Sequence, residues 1–188
     1  MKTAKKLLCN LIIYVVLMSI VASSAFAAAD LTTASSSGLI INAATGQVIY
    51  ANNENTRVAP GGLAKLMTLY IAAEECSNGS ISRSDVVTIT DRMIVESETP
   101  FLREGNEFTV EQLMYMTHFD VDPTAARALA VYMDGTEELF AENMTKTAGV
   151  LGCTDTIFRN ADGREDENQY TTAHDMARIV MNALENKL

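Results

Sequence analysis

The side chain best placed for chemistry in this 188-residue sequence is Lys65, within the stretch Val58-Ala-Pro-Gly-Gly-Leu-Ala-Lys-Leu-Met-Thr-Leu-Tyr70. Leu63, Leu66, Met67 and Tyr70 recur there at helical spacing, so the lysine is expected near the start of a buried helix that opens onto a cleft. A lysine can take the proton of a hydroxyl three residues earlier, because positions i and i+3 share one helix face. Position 62 is glycine, which offers Lys65 nothing to activate. Glu111, Asp120 and Asp122 are further candidates for acid–base work, but nothing fixes their spacing and they read as a solvated helix end. His118 reads as a surface residue. With His174 it stands apart from the cysteines, so no metal-ligand spacing exists and no metal or cofactor is expected.

The elements that must position Lys65 follow a leader. Lys2, Lys5 and Lys6 precede an apolar run from Leu7 to Ile20, and Ala25-Phe26-Ala27 supplies small residues at a cleavage site. Residues 1–27 read as a signal peptide, with a second cleavage choice after Ala29 and residues 28–37 as a flexible lead-in. Cys9 precedes the apolar run and follows Leu8, so it does not read as a lipoprotein acceptor. Loss of the three lysines from 14 basic residues leaves 11 against 24 acidic ones, a formal charge of −13. That excess argues against nucleic acid and against an anionic membrane surface as partners. Cys76 and Cys153 remain, and they read equally well as a pair or as two buried thiols.

In chain order, Leu39-Ile40-Ile41 and Val48-Ile49-Tyr50 read as a hairpin turned at residues 42–46. The central helix should run from Gly62 or Leu63 to about Cys76 and stop at Asn78-Gly79. Val86–Thr90 reads as a strand, and Arg92–Gly105 as a loop with Pro100-Phe101-Leu102 tucked against the body. Thr109-Val-Glu-Gln112 is a capping box that opens a helix through Leu113, Met114 and Met116. Further helices are expected over Ala125–Met133, after the Thr136 cap through Phe140, Met144, Ala148 and Leu151, and from the Thr172 cap through Ile179 and Met181 to about Asn186.

Several of these segments resemble one family. Lys65-Leu66-Met67-Thr68 matches the end of Pro-Ala-Ser-x-x-Lys-Leu-Met-Thr, the nucleophile motif of the serine-type D-alanyl-D-alanine carboxypeptidases, or low-molecular-weight penicillin-binding proteins, with Gly62 at the serine. Asn42, Thr45, Gly46, Val48 and Tyr50 follow the family's opening hairpin. Ala125 and Ala126 match the family's Ser-x-Asn-Asp-Ala-Ala, with Val121 at the serine, Pro123 at the asparagine and Thr124 at the aspartate. Residues 151–164 resemble Leu-Gly-Met-x-x-Thr-x-Phe-x-Asn-Pro-x-Gly-Leu, with Ala161 at the proline and Arg164 at the leucine. Tyr170–Ala177 resembles Tyr-Ser-Thr-Ala-x-Asp-Met-Ala, and Leu188 is reached before the family's Lys-Thr-Gly.

The resemblance implies an α+β chain, a partial penicillin-binding/β-lactamase-like transpeptidase fold with a hairpin and a helical cluster but without the later sheet strands. Residues 38–188 would be a truncated carboxypeptidase-like domain. It implies an exported, periplasmic or extracellular protein of the family that trims peptidoglycan stem peptides, with a stem peptide or a cell-wall protein as partner. Gly62, Val121 and Pro123 imply an inactive site in which Lys65 is a vestigial general base. The alternatives are an active carboxypeptidase completed by another chain and a non-functional gene fragment.

Overall fold

The computed structural model describes residues 35–96, 100–119 and 121–185. The expected signal peptide, Cys9 and Asp120 lie outside them. Strand β1 (Gly38–Ile41) pairs antiparallel with β2 (Val48–Asn52). The turn between them is closed by the Asn42 side chain, which accepts from the N–H of Ala44 at 2.9 Å and of Thr45 at 3.2 Å. Asn is favoured here because its short amide can replace a backbone acceptor.

A three-residue 3-10 turn, Gly61–Leu63, leads into α1 (Ala64–Asn78), which ends on Gly79 at φ 81°. Ala64, Met67, Thr68, Ile71 and Ala72 recur on one face of α1 and are buried. Spacing of this kind gives a stripe that faces the core. Leu63, expected among the packing residues, is 52% exposed. It lies in the tight turn before the helix, so its side chain leaves the phase of the stripe.

Strand β3 (Val86–Thr88) pairs antiparallel with β4 (Glu107–Thr109), a strand with no signal of its own in the sequence. Within the intervening segment Leu102 is buried while Phe101 is 58% exposed, so only part of the expected apolar patch tucks in. Helix α2 (Val110–His118) starts on the expected capping box: Thr109 Oγ1 accepts from Gln112 N, and Gln112 Oε1 accepts from Thr109 N.

Helix α3 (Pro123–Asp134) is the shared wall of two apolar clusters. Ala126 and Ala130 face Met67, Ile71, Phe140 and Met144, whereas Ala125, Ala128 and Leu129 face Val87, Ile89, Leu102 and Leu113. Small side chains let one helix serve both clusters at close range. Helix α4 (Glu137–Val150) is capped by Thr136, whose side chain accepts from Leu139 N. Helix α5 (Ala173–Glu185) begins where Thr172 Oγ1 accepts from Asp175 N at 3.0 Å. Among the described residues no helix is long and apolar enough to cross a membrane.

Cys76 is half-buried and Cys153 buried, and both are free thiols. Burial pushes the Cys153 thiol up to about 11, with the nearby Asp175 carboxylate adding to the rise. Its Sγ donates to Asp175 O at 3.4 Å, the contact of a packing residue and not of a nucleophile.

Candidate functional site

The turn before α1 is built by Pro60, in helical conformation, and Gly61 at φ 51°, which a residue with a Cβ rarely adopts. Gly62 follows, exposed and without a positive φ, and a Cβ added there meets nothing within 4 Å. Lys65, half-buried, lies one helical turn later. Gly62 and Lys65 line a depression of about 320 Å³ together with Leu63, Leu66, Leu69, Thr117 and His118.

Val121 and Pro123 follow His118 on the same segment but do not line this depression. Val121 is 47% exposed, and Pro123 forms the first turn of α3, where a missing N–H costs no helical bond. Neither offers a side-chain donor or acceptor.

The residue between them overturns the expectation of a solvated helix end. Asp122 is buried and caps α3: Oδ1 accepts from Thr124 N at 2.8 Å, while Oδ2 accepts from Phe101 N at 2.7 Å and Leu102 N at 3.1 Å. Burial alone would raise its pKa, but the N–H groups of Leu102, Thr124 and Phe101, with the Thr124 side chain, outweigh it and hold the carboxyl below its ordinary 3.8. The stabilisation is therefore complete above about pH 3.8 and is lost as pH falls through the lowered native value. In urea titrations between pH 6 and pH 2.5, the gap in midpoint between the parent protein and Asp122→Asn should narrow toward acid. A gap independent of pH contradicts this account. Glu111, in contrast, is exposed as expected, and so is His118.

Sequence reasoning missed the brace beneath the turn. Gly163, at φ 83°, lies so close that a Cβ on it would come within 1.9 Å of Gly61 O and 3.0 Å of Gly62 N. The loop carrying it is tied to α1 by Thr68 Oγ1, which donates to Ala161 O at 2.7 Å. Asn160 Oδ1 accepts from Gly163 N at 2.8 Å. Glu137, at the first turn of α4, receives both oxygens' worth of contact from Arg164 Nη2, at 2.8 and 2.7 Å, and its Oε1 accepts from Ala161 N at 3.3 Å. Arg127 Nε lies 2.9 Å from Glu137 Oε2, and Arg164 Nε donates to Asp162 Oδ1 at 3.0 Å. Two carboxylates and two guanidiniums thus fix the loop on which the Gly61–Gly62 turn rests. The run Asn160-Ala-Asp-Gly163 was the available signal, since it promises a turn; what the turn touches is not encoded locally.

The D-alanyl-D-alanine carboxypeptidase family model matches residues 24–188. The chain belongs to this family. D-alanyl-D-alanine carboxypeptidase DacF of Bacillus subtilis is 33% identical over 187 residues, which cover 96% of this chain and 48% of that protein. DacD of Escherichia coli is 31% identical over 148 residues, 75% of this chain and 38% of that protein. The crystal structure of D-alanyl-D-alanine carboxypeptidase DacD from Francisella tularensis superposes with a TM-score of 0.81 at 30% identity, covering 84% of this chain and 38% of that one. The chain therefore spans about half or less of the length of these relatives, and its α+β architecture is part of a penicillin-binding fold. The fold expectation from the sequence holds.

Proposed function

We propose that this chain is an exported carboxypeptidase-family protein that does not hydrolyse D-Ala-D-Ala peptides and acts by binding, with a peptidoglycan stem peptide or a cell-wall protein as its partner. The observation that carries the reading is Gly62 at the family's nucleophile position, on the turn before Lys65, with open space where a hydroxymethyl group would project. Acyl transfer needs a nucleophile within reach of its base, and groups that act as a unit lose most of the rate when one is deleted. Val121 and Pro123 support the same reading, because the two positions that would organise proton transfer and hold the substrate carry no polar side chain. Lys65 is then either a vestigial base or a lysine that keeps its stem against the helix and its amine in water. The basic start, the apolar run and the small residues at 25–27 support export.

Incubation of the mature protein with benzylpenicillin should give no covalent adduct by intact-mass measurement. A stoichiometric mass increase would defeat the proposal. The Gly62→Ser variant should fold normally, since the site has room, and still show no turnover of a D-Ala-D-Ala peptide. Turnover by that variant would show that Gly62 alone accounts for the loss.

A further inference from the structure

A second concavity lies along α1 and adjoins the Gly62 depression, with which it shares Leu66, Leu69 and His118. It encloses about 390 Å³, with Leu66, Leu69 and Ala73 of α1 on one side and Met114 of α2 and Ala183 of α5 on the others. That size is in the range of small-molecule sites, which combine apolar walls with a few fixed polar groups. The oppositely charged pair on its lining is Arg83 and Glu111, and the His118 imidazole and the side chains of Tyr70 and Tyr115 line it as well. The backbones of Arg83 and Glu111 are joined, because Glu111 N donates to Arg83 O at 3.0 Å. Their side chains are not joined in the same way: Arg83 Nη1 lies 3.8 Å from Glu111 Oε1, outside hydrogen-bond range, and the two are 44% and 49% exposed. A guanidinium and a carboxylate are thus held side by side at the rim of an apolar groove, each with donor or acceptor capacity left over.

We propose that this groove binds a free α-amino acid with a large apolar side chain. The carboxylate sits on Arg83, the ammonium on Glu111, and the side chain lies between Leu66, Leu69, Ala73 and Met114. An α-amino acid carries its opposite charges one carbon apart, which matches a rim where a cation and an anion stand next to each other. An anion without the ammonium is repelled by Glu111, and a cation without the carboxylate is repelled by Arg83. Internal residues of a peptide carry neither charge. The half-exposed rim and single-side-chain contact set an affinity on the order of 1 mM.

The test is binding to the full chain by ligand-observed NMR with phenylalanine, N-acetylphenylalanine and phenylalanine amide. Phenylalanine should saturate, and both singly charged analogues should bind about tenfold or more weakly. Arg83→Gln and Glu111→Gln, both at exposed positions, should each weaken phenylalanine about tenfold with unchanged unfolding midpoints, and Ala73→Trp should block the groove. No saturable binding up to about 20 mM phenylalanine overturns the proposal. So does equal binding of the three compounds, which would mark a generic apolar groove, or unchanged affinity in Arg83→Gln.

Discussion

Replacing Gly163 with alanine should destabilise the protein by about 3–5 kcal/mol, which for a chain of this size lowers the melting temperature by roughly 6–20 °C. Two costs add. At φ 83° an L side chain is strained by about 1–2 kcal/mol. The new Cβ would also fall 1.9 Å from Gly61 O, a backbone atom that cannot swing aside as a side-chain tip would. The loop, the turn before α1, or both must shift, and Thr68 Oγ1 to Ala161 O is the bond most directly opposed to that shift. Gly62→Ala is the matched control: its Cβ meets open space and its φ is not positive, so the change should stay within about 1 kcal/mol. Calorimetric scans of the two variants decide the matter. Similar melting temperatures would show that the close approach of Gly163 to Gly61 is not a constraint on the fold.

Glu137→Ala should cost about 2–4 kcal/mol, because it leaves the Arg127 and Arg164 guanidiniums without their shared carboxylate. Glu137 is 6% exposed, which argues for the upper part of that range. Arg164 is 40% exposed and partly screened by water, which argues for the lower part. The brace also loses the acceptor for Ala161 N, so the loop beneath Gly61–Gly62 should loosen and amide exchange of residues 160–164 should quicken. In a double-mutant cycle, Glu137→Ala with Arg164→Leu should be less damaging than the sum of the single changes, since each single change already breaks the same Glu137–Arg164 pair. Additive effects in denaturant titrations would mean that the cluster contributes charge but no coupling.

Much of the local architecture was legible because its cause is local. Thr109 and Gln112 satisfy each other's backbone N–H groups across three residues, Thr172 and Asp175 are joined over the same interval, and Gly79 can take the left-handed conformation that stops α1. The family segments were legible for the same reason, since Lys65-Leu66-Met67-Thr68 and Tyr170–Ala177 are contiguous words. Strand β4 was not, because three residues with one partner strand carry too short a pattern to stand above the adjacent capping box. Asp122 was misread because two of its donors, Phe101 N and Leu102 N, lie 21 and 20 residues upstream. From spacing alone a carboxylate at a helix start is as compatible with water as with a buried cap.

The sequence by itself determined which groups the site possesses: glycine at 62, lysine at 65, valine at 121 and proline at 123, and hence the absence of a side-chain nucleophile at the family's position. Tertiary structure alone decided what holds that turn in place. Gly163 rests on Gly61, Thr68 reaches Ala161, and Arg164 spans to Glu137, all contacts between segments far apart in the chain. A hydrogen bond or a steric limit between such segments depends on where two backbones arrive after folding, and leaves no periodic trace in either one.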